Sequence, residues 1–312
     1  MKAIGVIEYG GPEALRALDL PVPEAGPGEV RIRVHAAAVN PTDLAVRSGH
    51  SATRSPDVPP PFVPGMEAAG VLEQIGEGVV TDLRVGDHVM AIVVPRGSRG
   101  AYAEHIVAPA ESVVGVPAGS SDAAAASLPM NGLTARQALD LLALTPGQTV
   151  AVTGAVGAVG GYAVQLAKAD GLRVVADAAP RDEHRVKDLG ADIVLPRGDD
   201  FPQRVRSVVP DGVDGMVDAA LLDHLALAAV RDGGRIATLR FFSDAGERGI
   251  TYHPVLVSGD ARSRAKLDRL RQQVEDGRIT LRVAQVLPAE RAAVAHRLLE
   301  GGGVRGRLIL QF

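Results

Sequence analysis

The chain contains no cysteine and no tryptophan, and its 312 residues include only 4 Tyr and 5 Phe. Without cysteine there are no disulfides, thiolate zinc sites, iron–sulfur clusters or cysteine nucleophile. With so few rings, a planar ligand has little to stack on. The core must come from Ala, Val, Leu and Gly, which suits closely packed parallel strands and helices. No apolar run approaches the roughly 18 to 20 residues that span a bilayer. The opening MKAIGVIEYG lacks the apolar core and cleavage site of a secretory signal, so the cytoplasm is the expected location. Charge is equally unpolarised. A net −4, spread over both halves without a basic block, argues against nucleic acid or an anionic membrane as partner.

What is present is an ordinary globular composition, 46% hydrophobic and 22% charged, at a length that predicts about two domains. Residues 1–120 read as strands and turns. Val30, Ile32 and Val34 alternate with Arg31, Arg33 and His35, the period of a half-buried strand. Further apolar runs lie at Gly70–Ile75, His88–Val94 and Ala101–Val107, and the proline-rich segment 47–64 predicts a loop. VPGMEAAG, 63–70, reads as a turn. From Ser121 the rhythm changes to a helical stretch over 122–143, then alternating strands and helices through RIATL (235–239). That alternation predicts an α/β domain with a parallel sheet covered on both faces. A charged helix (264–276), a second helix after Pro288 and a final strand RLILQF complete the chain. The expected domains are 1–120 with 260–312, and 121–259.

The most informative segment is TVAVTGAVGAVGGYAVQLAKADGLRVVAD. A strand runs into Ala155-Val156-Gly157-Ala158-Val159-Gly160 and then a helix. Gly157 lets a pyrophosphate approach the backbone, Gly160 lets the helix pack close, and the helix N-terminus offers N–H donors to phosphate. Ala155 replaces the first glycine of the dinucleotide-binding pattern. Asp177 closes the second strand, where an acid accepts hydrogen bonds from the ribose of NAD(H) and repels a 2′-phosphate. Arg181 and Arg185 come soon after and suit that phosphate, so the residues alone leave NAD(H) and NADP(H) open. Asp177 as a turn residue and the arginines as a solvated face is the competing reading.

As an ordered set, VPEAGPGEVRIRVHAAAVNPTDLAVRSG, VPGMEAAGVLEQIGEGV, VGDHVM, GAYAEHIV, ASLPMNGLTARQAL, GAVGAVGGYAVQLAK, LGAD and GGVRGRLIL resemble the medium-chain dehydrogenase/reductase superfamily, in its zinc-independent quinone oxidoreductase-like branch. The resemblance covers nearly the whole chain. It implies a GroES-like, mostly-β catalytic domain completed by the C-terminal segment, and a Rossmann doubly wound cofactor domain. It implies hydride transfer from NADPH to a quinone or an α,β-unsaturated carbonyl, and favours NADP(H), with NAD(H) the alternative that Asp177 keeps open. It also implies a possible homodimer through Rossmann strands, to which Phe241-Phe242 could contribute.

In zinc-dependent relatives, the positions of Met66 and Asn40 carry a histidine and a cysteine ligand. A thioether and a carboxamide are poor substitutes, so no metal is expected. Asn40 is then the candidate to polarise the substrate carbonyl or hold the nicotinamide ribose, although Asn40-Pro41 also simply stops a strand. Related quinone reductases carry a tyrosine in the next stretch, where Ala45 and Ser51 stand here. Asp43, His50 or water are the candidate proton donors. Asp43 is also read as a helix cap and His50 as a solvated loop residue. By family position Thr134 faces the nicotinamide, Asn131 shapes substrate choice, and Arg307 lies near the cofactor or is an edge-strand charge. Glu67 is expected to anchor backbone or an arginine. A non-redox member catalysing cyclisation or isomerisation is the alternative function, and a zinc alcohol dehydrogenase a third.

Overall fold

The computed structural model describes residues 1–50 and 57–312, so Ser51 lies outside the described residues. Unit 1 is Met1–Met130, Ser258–Glu275 and Leu281–Phe312, and unit 2 is Asn131–Val257 and Asp276–Thr280. This division puts 121–130 in unit 1, ten residues beyond the sequence boundary at 120, because the short helix there packs on unit 1 strands.

Unit 1 is mostly strand. A hairpin of β1 (Lys2–Gly5) and β2 (Arg16–Asp19) stands apart from the main sheet. That sheet contains β3 (Glu29–Ala38), β4 (Glu67–Ile75), β5 (His88–Ile92), β6 (His105–Pro109) and β7 (Val113–Gly115). The last strands of the chain, β14 (Val283–Pro288) and β15 (Arg307–Gln311), join it in the order β14-β15-β3-β4-β5-β7, with β6 also on β3. The alternation in β3 is realised, with Val30, Ile32 and Val34 buried. These three pack with Leu72, Ile106, Tyr102, Leu287 and Leu310 in one apolar core.

Helix α1 (Pro41–Ser48) starts at a proline, where a missing N–H costs nothing, and ends at Gly49 in the left-handed region, φ 84°. Arg47 and Ser48 are thus helical, although the proline count of 47–64 predicts loop. VPGMEAAG is a turn only as far as Met66, since β4 begins at Glu67. The helix expected over 122–143 is two, α2 (Asp122–Ala125) and α3 (Pro129–Leu142). Pro129 is tolerated only at a helix start, so the break falls before it. The run at 101–107 forms a strand only from His105.

Unit 2 holds β8 (Thr149–Val152), β9 (Arg173–Ala178), β10 (Ile193–Pro196), β11 (Val213–Asp218), β12 (Val230–Thr238) and β13 (Thr251–Pro254). All pairings are parallel, in the order β10-β9-β8-β11-β12-β13. Numbered within the unit this is 3-2-1-4-5-6, the doubly wound order whose crevice opens beyond the carboxyl end of its first strand. Helices α4 (Ala158–Ala169), α5 (Glu183–Asp188) and α6 (Phe201–Val208) are crossovers. The segment expected as a helix at 222–230 is a 3-10 turn, Asp223–Ala229. In unit 1, α7 (Arg264–Glu275) and α8 (Ala292–Glu300) fall where the charge and apolar spacing predict them.

Gly160 sits where α4 meets the turn after β8. A Cβ there would lie 2.3 Å from Gly154 O and 2.9 Å from Ala155 Cα, both backbone. Alanine would gain helix propensity of about 1 kcal/mol, but backbone overlap costs about 1–3 kcal/mol and wins. At Gly157 a Cβ meets only Gly154 O, at 3.0 Å. Urea unfolding should therefore show Gly160→Ala clearly destabilised and Gly157→Ala within about 1 kcal/mol of the parent; equal effects would refute the close-packing role of Gly160.

Candidate functional site

In unit 2 the functional geometry begins at the end of β8. Thr153 Oγ1 donates to Asp218 Oδ1 at 2.8 Å, and Asp218 Oδ2 accepts from the Asp223 N–H at 2.9 Å. Gly154 takes φ +62°, with the Ala219 carbonyl 3.1 Å from where a side chain would begin. The chain then turns through Ala155, Val156 and Gly157 into Ala158, Val159 and Gly160 of α4, whose N-cap is Gly157 with no side-chain cap. First-turn N–H groups have no intrahelical acceptor, so this end of α4 carries the partial positive charge that favours an anion.

Asp177 does not project beyond β9 as its place in the sequence suggests. It is 7% exposed, and its Oδ1 accepts the Ala155 N–H at 2.9 Å. Burial pushes its pKa up, against the pull of the Ala155 and Gly154 N–H groups and of Arg197. One carboxylate oxygen therefore fixes the turn. Arg181 is exposed, 3.8 Å from Asp182, and Arg185 is exposed on α5. Arg197, overlooked in the sequence, comes directly after β10, whose Pro196 pairs with Ala178. Parallel pairing brings the residue after β10 beside those after β9, a signal available only once the register is known. On α3, Asn131 and Thr134 are buried and, three residues apart, share one helix face.

In unit 1 a polar triangle is enclosed in the core. Arg307 Nη2 donates to Glu67 Oε1 at 2.5 Å and to Asn40 Oδ1 at 2.7 Å. Asn40 Nδ2 donates to the same Glu67 oxygen at 3.0 Å, and the Met130 N–H donates to Glu67 Oε2 at 2.8 Å. Asn40 and Glu67 are 0% exposed. Both ends of the Asn40 amide are thus engaged, which fixes the side chain in place, and Nδ2 also lies 3.4 Å from Ala38 O. Arg307 is 5% exposed on β15, which has a neighbour on each side, so it is no edge-strand charge.

A second buried network starts at the same turn. Asp43 accepts the Asn40 N–H at 2.8 Å, the Gly65 N–H at 2.9 Å and the Tyr102 hydroxyl at 3.1 Å. Arg47 Nη1 lies 3.3 Å from His296 Nδ1, and His296 Nε2 lies 3.3 Å from Tyr102 Oη. Arginine can only donate, so His296 accepts at Nδ1, carries its proton on Nε2 and donates to Tyr102, which donates to Asp43. Burial and the Arg47 charge push His296 down to about 3, so it is neutral. Burial raises Asp43 to about 7 even against its three donors. Asp43 is thus a clamp on α1 and the Gly65 turn. His50 joins neither network, as its exposed ring pairs with Ser48 Oγ at 2.7 Å. Tyr102 and His296 escaped the sequence reading because their partners are 59 to 249 residues away.

Residues 26–118 match the alcohol dehydrogenase GroES-like domain family and residues 189–310 the zinc-binding dehydrogenase family. The chain is 30% identical to mouse quinone oxidoreductase over 99% of its own length and 97% of the relative's. It belongs to the medium-chain dehydrogenase/reductase superfamily, in the quinone oxidoreductase-like branch. It is also 30% identical to a chloroplastic NADPH-dependent alkenal/one oxidoreductase of Arabidopsis thaliana, covering 99% of this chain and 79% of that one. A solved NAD-dependent alcohol dehydrogenase superimposes with a TM-score of 0.87 at 34% identity, each chain covered completely. As a member of this oxidoreductase branch, the chain combines a GroES-like unit with a Rossmann unit.

Removing one partner of a buried ion pair leaves the other charge uncompensated, at a cost of about 3–5 kcal/mol. Arg307→Leu is therefore expected to be far more destabilising than Arg307→Leu combined with Glu67→Leu, in a double-mutant cycle read by urea unfolding. Additive losses would refute the pairing. Asp43 and His296 contribute opposite pH slopes. The raised Asp43 favours folding below about 4 and loses that contribution as pH rises to about 7. The depressed His296 contributes above its unfolded value near 6.5 and loses it as pH falls toward about 3. Relative to the parent, the deficit of Asp43→Asn should shrink between pH 4 and 7, and that of His296→Gln should grow. Deficits independent of pH would contradict both assignments.

Proposed function

We propose that this oxidoreductase is NADPH-dependent and reduces a quinone or an α,β-unsaturated carbonyl without zinc. The observation that carries the reading is the turn from β8 to α4. Gly154, Gly157 and Gly160 leave a cradle of backbone there, ending at a helix N-terminus with no side-chain cap. Residues 155–160 would hold the pyrophosphate of a dinucleotide by backbone N–H groups. Arg181 and Arg197 supply positive charge beside the end of β9, where a 2′-phosphate belongs. Asp177, turned into the loop and raised in pKa, offers that phosphate less repulsion than an exposed carboxylate. These features support NADP(H) over NAD(H), as does the NADPH dependence of the Arabidopsis relative; the NAD-dependent structural neighbour stands on the other side.

When bound, the nicotinamide supplies a hydride. The chain's own part is to bind and orient. Thr134 and Asn131 share a face of α3 and are assigned to the nicotinamide and substrate, by family position. Asn40 holds its place through Glu67 and Arg307, so carbonyl polarisation falls to backbone donors or water, and protonation of the product to water. A zinc ion does not fit. The donors at 40 and 66 are a carboxamide and a thioether, and the adjacent Glu67 carboxylate is already neutralised by Arg307. The engagement of Asn40 also favours one second reading, a non-redox isomerase or cyclase of the same fold.

Initial rates of NADPH and NADH oxidation with simple quinones and enones test the proposal. NADPH should be preferred, with Arg181→Ala and Arg197→Ala each raising its KM roughly tenfold, the loss of one charge-assisted contact. Asp177→Ala should change cofactor preference little. Tight NADPH binding with no turnover on any acceptor would favour the non-redox reading, and a preference for NADH would overturn the cofactor assignment.

A further inference from the structure

His35, His88 and Asp122 come from three elements of unit 1 and form a cluster that the proposed chemistry does not use. Among the described residues they are the group of His, Asp and Glu side chains whose ligand atoms all lie within 4.8 Å of one another. His35 Nδ1 lies 2.6 Å from Asp122 Oδ2, and His88 Nδ1 lies 2.9 Å from Oδ1 and 3.1 Å from Oδ2. The two rings are 5.9 Å apart at 65°.

This convergence is built by the backbone. β3 and β5 are separated by β4, so histidines on them would ordinarily stand about two strand spacings, roughly 10 Å, apart. The β3–β4 register slips between Val34 and Ala36, making His35 the extra residue of a bulge. Opposite it stands Gly70, where any side chain would lie 2.0 Å from Arg33 O and 2.9 Å from His35 N. The glycine lets the bulge settle onto β4, and a bulge re-aims its side chain. Helix α2 packs across β3, β4 and β5 and presents Asp122 from its first turn. The carboxylate is 12% exposed, while His35 and His88 stay open at 32% and 54%.

We propose that His35, His88 and Asp122 form a binding site for a divalent late transition-metal ion of the zinc type. Two imidazoles and one carboxylate are the donors such an ion selects, and calcium or magnesium would prefer all-oxygen sets. Metal–ligand bonds of about 2.0–2.2 Å place tetrahedral donors about 3.3 Å apart. The three ligand atoms, all within 4.8 Å of one another, must draw in to that spacing, leaving one or more positions for water. On binding, each Nδ1–H proton passes through solvent to Nε2, and the freed Nδ1 lone pairs take the metal.

Arg33 controls access. Its Nη1 donates to His35 Nε2 at 3.0 Å, which keeps the proton on Nδ1, while its Nε holds Glu73 at 3.1 Å. A metal-bound His35 carries its proton on Nε2, so Arg33 must swing away and keep only Glu73. This gives an arginine variant a sign that adventitious binding lacks.

The test is calorimetric titration of the full chain, without an affinity tag, by Zn²⁺. One equivalent should bind, His88→Ala and Asp122→Asn should weaken binding more than about tenfold, and Arg33→Ala should tighten it. His184→Ala, which removes an exposed imidazole on α5 of unit 2, should leave it unchanged. Because His88 is half-exposed, its replacement leaves the core intact, and the zinc-induced rise in Tm should vanish with it. No binding, or binding equally strong in His88→Ala, would overturn the proposal.

Discussion

Arg307 reaches Glu67 and Asn40 across 240 and 267 residues, a buried contact that ties the last strand to β4 and to the start of α1. The chain leaves unit 1 after Met130 and returns, so one sheet must join strands from both ends. β15 lies between β14 and β3, and apolar burial alone would tolerate other registers there. A guanidinium and a carboxylate withdrawn from water cannot slip without losing their partners. Desolvation consumes much of the Coulomb attraction, so the pair adds little net stability over a matched apolar pair. Its contribution is to make misregistered returns costly, which gives specificity to the position of the last strand.

The neighbouring Arg47–His296–Tyr102–Asp43 chain obeys the same logic with neutral links. A cation at one end and an acceptor at the other fix the direction of every hydrogen bond, so histidine tautomer and tyrosine rotor have no freedom left. In a protein so poor in aromatics, Tyr102 is kept in the core at 0% exposure, with its hydroxyl satisfied by this chain. α1 is thereby tied to α8 through contacts that local propensity does not encode.

Sequence reasoning succeeded where the information is local. The alternation over β3 and the strand–glycine–helix punctuation at 149–160 depend only on neighbours along the chain, and both match the structure. It failed where the surface decides. β2 and β14 are largely exposed, with no apolar alternation to betray them. The adjacent Phe241 and Phe242 have different fates. One is 48% exposed, while the other meets Tyr252 edge-on at 5.2 Å in the unit 2 core. His50 and Asp43 are both candidate proton donors by sequence, but the competing readings, Asp43 as a cap and His50 as a solvated residue, match the structure. The structure separates them by enclosing one and leaving the other in solvent.

Carboxylates show why candidate acids were hard to judge. Glu67 takes the Met130 N–H, Asp43 the Gly65 N–H, Asp177 the Ala155 N–H, Asp218 the Asp223 N–H and Asp214 the Thr149 N–H. A carboxylate in low dielectric needs donors, and a turn or strand end has N–H groups lacking acceptors, so each need answers the other. An acid engaged this way is a backbone clamp, its oxygens taken up by the loop it holds. The chemistry left for ligands then falls to backbone N–H groups, cations and imidazoles. That division matches the two proposals, phosphate at the mouth of α4 and a metal at the bulge beside Gly70.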